Sequence, residues 1–362
     1  MRAVRDVLEP ARWWSWRRQR LDRSCRNVND CLRSVVCVPA ANPWGPLALL
    51  ARIPRLTPGH AADATTSQVG FRTRAIRGTP MLVPFDAATY ALALGELVPS
   101  VARAKRNASD GRAMAKSILK LVEDAPMLRD DVPAAIRRSR TNLDPFLDAM
   151  CLRGDLTEVA PSSPLEDRWS IVATDGWVDL GDKLDPEQAL RSFLIGYLSA
   201  FGPATADDAS RFFGVSLKRV RAALADVATA DVGGGLLLLA SDAKGFGGIR
   251  RTGNRVTLLP RGDAWLHAYE GTSLRRFGTP RAIDNSFDGR GIARPTVLVD
   301  GEIVGTWDLA LRKKSAQLSV ELLQRLEERT LKSLSDELRL IANFVEATGL
   351  VAEVEPLPKP KR

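Results

Sequence analysis

The sequence is poor in metal-binding and redox residues. Its 362 residues include four cysteines, Cys25, Cys31, Cys37 and Cys151, and two histidines, His60 and His267. No two cysteines make a C-x-x-C pair, so a zinc site is disfavoured, and their spacing gives no disulfide framework. A reducing compartment fits. No apolar run approaches the roughly 18 uninterrupted residues that a membrane span needs. The Arg-rich start is broken by Asp6, Glu9 and Asp22 and lacks a small-residue cleavage site, so it does not read as a secretion signal. A cytoplasmic, nucleoid-associated protein is expected. Neither G-x-x-x-x-G-K-[ST] nor G-x-G-x-x-G opens a helix, which disfavours nucleotide hydrolysis and dinucleotide binding. The stretch "DNSFDGRGIARP" starts like a calcium loop with Asp284, Ser286, Asp288 and Gly289, but has Pro295 where the bidentate Glu belongs. It is read as a plain loop. No Ser-His-Asp arrangement is visible, and neither a cofactor nor a metal is expected.

What is abundant is arginine. Lys and Arg number 52 against 43 Asp and Glu, giving a net charge of +9, and the pI is about 9.7. Of the basic residues, 41 are Arg and 11 are Lys. Such an excess favours polyanionic partners, because each phosphate bound releases counterions. The 45% hydrophobic and 26% charged residues are ordinary for a globular chain.

The first hundred residues open with a helical stretch, "LEPARWWSWRRQRLD", in which Trp13, Trp16 and Leu21 share an apolar stripe with Arg17, Arg18 and Arg20 mostly off it. Trp13, Trp14, Trp16 and Trp44 lie near apolar segments and read as core more readily than as base-stacking platforms. Next comes "VVCVPAANPWGPLALLAR". Two prolines four apart, Pro39 and Pro43, force an irregular loop whose only polar side chain is Asn42. By its turn preference Asn42 before Pro43 reads as a turn residue. "QVGFRTRAIRGTPMLVPFD" reads as strand, punctuated by Gly78 and Pro80.

After a polar connector over 101–112, one pattern occurs twice: helix, turn, short helix, turn, third helix, two strands. That order is a winged helix, a helix-turn-helix backed by a β-hairpin. In the second copy Gly202-Pro203 ends the first helix, Thr205 caps the next, Gly214 makes the turn and Ser216 caps "LKRVRAALAD". Val220, Ala223 and Leu224 face inward, while Lys218, Arg219 and Arg221 lie near the N-terminal end. A recognition helix meets DNA by that end. Residues 249–261 read as a basic hairpin carrying Arg250, Arg251 and Arg255. Further on, "RPTVLVDGEIVGTWDLAL" is a hairpin turning at Asp300-Gly301. A long amphipathic helix is expected to follow, with Leu323, Leu326, Leu334, Leu338, Ile341 and Val345 in its stripe and Gly349 at its end. The tail 356–362 is expected to be disordered.

"YLSAFGPATADDASRFFGV", "TLLPRGDAWLHAYE" and "VLVDGEIVGTWDLA", in that order, resemble a bacterial family of winged-helix DNA-binding proteins. That family includes the interstrand-crosslink and bulky-alkyl DNA glycosylases of the azinomycin B resistance type. "ARWWSWRRQRLD" and "FRTRAIRGTPMLVPFD" are similar to the family's N-terminal helix and first strand region, so the resemblance runs over most of the chain. It implies three tandem winged helices wrapped around DNA. It also implies a role for the Pro39 loop, which in the glycosylases carries a Gln-x-Gln or Gln-x-Asp motif that positions water against the sugar. Here the matching positions are Pro39 and Ala41, which offer no side-chain donor or acceptor. The family's Arg-Gly-Thr-x-His is Arg77-Gly78-Thr79-Pro80-Met81.

The expected fold is therefore α+β and helix-rich, with winged-helix units over 1–105, 106–185 and 186–260, a β-hairpin and long helix over 261–355, and the tail. The expected function is double-stranded DNA binding without robust glycosylase activity. Arg17, Arg18, Arg72 and Arg74 would serve the first unit, and Lys218, Arg219, Arg221, Arg250, Arg251 and Arg255 the third. Two alternatives stand beside it: a monofunctional glycosylase for N7-alkylated or crosslinked purines using Asn42, and a winged-helix scaffold for protein partners. No membrane partner is expected. The oligomeric state is open and compatible with a monomer.

Overall fold

The computed structural model describes residues 2–107, 111–137, 142–182, 184–250, 253–312, 315–345 and 352–355. They form an α+β, helix-rich chain with several small, mainly antiparallel sheets.

The N-terminal portion sets helices Arg2–Arg18, Val28–Val35, Trp44–Leu50 and Pro58–Thr66 around a three-stranded sheet. In that sheet Met81–Pro84 lies between Val38–Pro39 and Gly70–Thr73. The next portion packs helices Arg112–Leu121 and Asp144–Arg153 on a sheet in which Ser170–Ala173 lies between Met127–Leu128 and Leu156–Val159. Its core is small and separate, built on Ile118, Leu147, Met150 and Ile171.

The third portion follows its sequence signals closely. Helix Pro186–Phe201 ends at Gly202. Thr205 and Asp208 form a reciprocal capping box on helix Ala206–Phe213, and Gly214 closes it at φ +72°, a conformation that favours glycine. Helix Leu217–Ala225 buries Val220, Ala223 and Leu224, as its pattern predicts. Ser216 stands at its N-cap but makes no side-chain cap bond. The hairpin behind this helix-turn-helix is Thr229–Asp231 with Leu237–Leu239. Tyr197, Phe201, Phe212 and Phe213 interlock at its centre, with ring centroids 5.1 to 5.6 Å apart among neighbours.

Two expectations are corrected here. Among the described residues of 249–261 no hairpin forms. Val256–Leu259 instead pairs antiparallel with Thr296–Val299 and becomes the edge of a five-stranded C-terminal sheet. The Asp300 carboxylate holds the entry to that strand, accepting from the backbone N–H of Asn254 (2.9 Å) and Arg255 (2.8 Å). The expected turn at Asp300-Gly301 does form, with φ of 50° and 78° and Val299 opposite Glu302. Second, the long C-terminal helix is shorter than its apolar pattern predicts. Ser315–Leu322 is a strand and the helix runs Glu328–Phe344, so Leu323 and Leu326 precede it. Leu334, Leu338 and Ile341 do face the core. Gly349 and the tail 356–362 lie outside the described residues.

The largest sheet and this helix share one core with the N-terminal portion. It contains Leu32, Leu47 and Leu50 together with Leu318, Leu338 and Trp307. Arg52 fixes the join. It is fully buried and pairs with fully buried Asp263 by two bonds of 2.8 and 2.9 Å, while donating to Ala48 O and Gln19.

Candidate nucleic-acid interface and the cleft at Pro39

Strand pairing brings together the two segments singled out in the sequence. Pro39 lies opposite Met81 and Val38 opposite Leu82. The Ala40 N–H donates to Pro80 O at 3.1 Å. Helix Trp44–Leu50 then starts hard against the loop: a Cβ at Gly45 would sit 2.4 Å from Pro39 O, so only glycine fits there.

The cleft beside this loop is lined by Pro39, Ala40, Asn42, Leu82, Ala160 and Trp169, among others, and holds about 20 Å³. That is room for roughly one water molecule, far short of a purine. Asn42 does not aim a free amide into it. Its Nδ2 donates to Glu166 O at 2.7 Å and its backbone N–H donates to Asp167 Oδ1 at 3.1 Å. The same carboxylate oxygen accepts from Trp169 Nε1 at 2.9 Å. The segment 160–169 therefore closes over the cleft.

Arg72 and Arg74 come together, but inside the protein. Strand Gly70–Thr73 runs beside strand Leu156–Val159, whose Glu158 is 1% exposed. Arg72 ion-pairs with Glu158 and stacks on Trp169, its guanidinium carbon 4.2 Å from the ring centroid. Arg74 reaches Glu158 at 2.7 Å and Asp148 at 3.4 Å. Arg129 reaches Glu158 and Asp144, both at 3.0 Å, and Asp148. Burial raises the Glu158 carboxyl, and the charges of Arg72, Arg74 and Arg129 outweigh it, holding the group at about 2. Arg72 is only 6% exposed, so this charge joins two portions of the chain and is not presented to solvent.

The helix Leu217–Ala225 exposes Lys218, Arg219 and Arg221. Arg219 pairs with Glu187, and Arg221 lies 3.7 Å from Asp207. These are exposed pairs, which exchange readily for a phosphate. The hairpin Thr229–Leu239 carries one charged residue, Asp231, and a run of three glycines at its tip. It offers no cation to a phosphate.

Positive charge gathers elsewhere. Arg17, Arg18, Arg20 and Arg33 line one pocket of about 490 Å³ with Trp14, Asp22, Ser34, Ser199, Gly245, Gly248 and Ile249. Arg18 is held by Ser199 (2.7 and 2.9 Å) and Asp242 (2.9 Å), with Trp14 beneath it. Arg17 donates to Arg250 O at 3.1 Å, which puts Arg250 at the pocket's edge. Arg255 lies over Trp16 at 5.9 Å, and Arg251 lies outside the described residues. So the structure joins Arg17 and Arg18 to Arg250, which is 233 residues from Arg17 in sequence. Sequence reasoning missed Arg20, Arg33, Glu158 and Arg129. Glu158 left one signal, a carboxylate amid the apolar strand "LTEV". The three arginines left none beyond their charge.

A helix-turn-helix with a hairpin behind it, beside an arginine-lined pocket, is an arrangement shared with nucleic-acid-binding proteins. The comparisons agree with that class. The family described as DNA glycosylase AlkZ-like matches residues 32–344, and the chain belongs to this family. Among solved structures, Streptomyces sahachiroi DNA glycosylase AlkZ superposes with a TM-score of 0.75 over 96% of this chain and 99% of that one, at 19% identity. At that identity the likeness shows the fold. No curated protein sequence matches. Among the described residues no helix is long and apolar enough to cross a membrane, and no cluster of His, Cys, Asp or Glu is arranged to hold a metal ion.

Proposed function

We propose that the protein binds double-stranded DNA through phosphates, on three tandem winged-helix units, without robust glycosylase activity. The observation that carries this reading is the cleft at Pro39. A base-excising site needs room for an extruded base and polar groups aimed at the sugar as positive charge develops. This cleft has room for about one water. Its walls at Pro39, Ala40 and Ala160 are apolar, and Asn42 is tied to Glu166 and Asp167. The binding half of the reading rests on family membership, on the net charge of +9, and on the exposed cations of the helix Leu217–Ala225 and the Arg17 pocket.

Two measurements on the same protein test it. A titration with an undamaged duplex should give binding that weakens steeply with salt. Neutralising about four to five phosphates predicts a log–log slope of roughly −4. A base-release assay on duplexes carrying N7-alkylguanine or an interstrand crosslink should stay at background. Affinity that ignores salt would end the binding half. Release over many turnovers would end the other half, and loss of that release in Asn42→Ala would assign the chemistry to Asn42.

A further inference from the structure

The arginine-lined pocket has a shape that duplex binding does not require. The backbone of a duplex is a convex ridge, and a flat or gently curved basic face is enough to meet it. Here the cations stand in a concavity of about 490 Å³, within the size range of small-ligand sites. Its lining mixes two chemistries: the cations Arg17, Arg20 and Arg33, and the apolar or small residues Trp14, Gly245, Gly248 and Ile249. Arg18 is committed to Asp242 and Ser199 and serves as a fixed wall. Arg33 reaches Asp86 at 2.7 Å, but both side chains are more than half exposed, so a phosphate can compete for it. Arg17 spends one donor on a backbone carbonyl and keeps the rest. The acid on the pocket wall, Asp22, accepts from Ser24 at 2.7 Å. Lined by both cations and apolar groups, and large enough for a base, sugar and phosphate together, the concavity matches one nucleotide freed from pairing.

We propose that this pocket is a site for an unpaired nucleotide, holding its phosphate on Arg17, Arg20 and Arg33, so that the protein prefers DNA containing a single-stranded nucleotide to fully paired DNA. The inference rests on the DNA-binding reading above but not on the state of the cleft at Pro39. It places the unpaired nucleotide away from that cleft.

The test compares three probes with the full chain: a paired duplex, the same duplex with a short single-stranded gap, and a free deoxynucleoside 5′-monophosphate as competitor. The gapped duplex should bind about tenfold more tightly, the scale of one stacked and neutralised nucleotide. Millimolar monophosphate should erase that difference, while paired-duplex binding persists through the cations of the helix Leu217–Ala225. Arg17→Gln with Arg20→Gln should also remove the preference. Gly248→Trp supplies a variant that leaves every charge intact. A Cβ at Gly248 meets only Gly245 O at 3.6 Å, and φ there is −95°, so the bulk can enter the concavity without backbone strain. It should abolish the preference too. If gapped and paired duplexes bind alike, or if Gly248→Trp keeps the preference, the pocket is not a nucleotide site, and duplex binding stands. If no DNA binds at all, the reading on which the inference rests has failed with it.

Discussion

Replacing Glu158 by Gln is expected to destabilise the protein by about 3–5 kcal/mol, the usual cost of removing one partner from a buried ion pair. Glu158 is 1% exposed and faces Arg72, Arg74 and Arg129. A neutral amide there leaves Arg72, itself 6% exposed, without its counter-charge. Arg74 and Arg129 keep Asp148, so the loss falls mainly on Arg72. That asymmetry gives the control: Arg72→Met in the Glu158→Gln background should recover part of the stability, because the stranded charge is gone. Urea unfolding of the two variants and wild type measures this. A Glu158→Gln midpoint indistinguishable from wild type would mean that water or a neighbour already compensates Arg72. The acid limb has a fixed sign as well. The folded carboxyl lies at about 2 against an ordinary 4.5, so its contribution is complete above pH 4.5 and disappears as pH falls toward 2.

The same network explains why part of the site could not be read in advance. Local signals carried the third unit well. Thr205, Gly214 and the Val220, Ala223, Leu224 stripe each act within a few residues, and each is found in its expected role. Asp300-Gly301 likewise specifies its turn locally. Arg72 and Arg74 alternate with Phe71 and Thr73, a pattern equally compatible with solvent on one side or with a partner strand. What decides is Glu158, more than eighty residues away. The basic stretch at 249–255 failed for a related reason. Its arginines suggested an exposed hairpin, whereas the run Val256–Leu259 found a better partner in Thr296–Val299. The pocket at Arg17 combines helix Arg2–Arg18, helix Val28–Val35, helix Pro186–Phe201 and the segment around Gly245, and no local periodicity encodes that meeting. The adjacency of Pro39 and Met81 was more accessible: the resemblance implies polar residues of one site at both positions, and strand pairing puts the two opposite each other.

Stability should also fall between pH 6.5 and pH 4, and His267 is the reason. It ends the short helix Ala264–His267, is 9% exposed, and packs edge-on against Phe287. Its Nε2 accepts a bond from the Ala293 N–H at 3.1 Å, which only the unprotonated nitrogen can do. Burial first, and then the charge of Arg77, push the imidazole down to about 4 from 6.5. In the unfolded chain the ring takes up its proton near 6.5. Between those values the unfolded state binds more protons than the folded one, so stability drops as pH falls through the window. The His267 contribution is present in full above 6.5, and about 3 kcal/mol of it is gone by pH 4. His267→Gln isolates it, because the amide oxygen can still accept from Ala293 while the side chain no longer titrates. Unfolding free energies at pH 7, 6, 5 and 4.5 should diverge from this variant's, wild type losing stability faster on acidification. Parallel curves for the two proteins would show that the ring carries a proton in the folded state, and the Ala293 bond would then have to be made some other way.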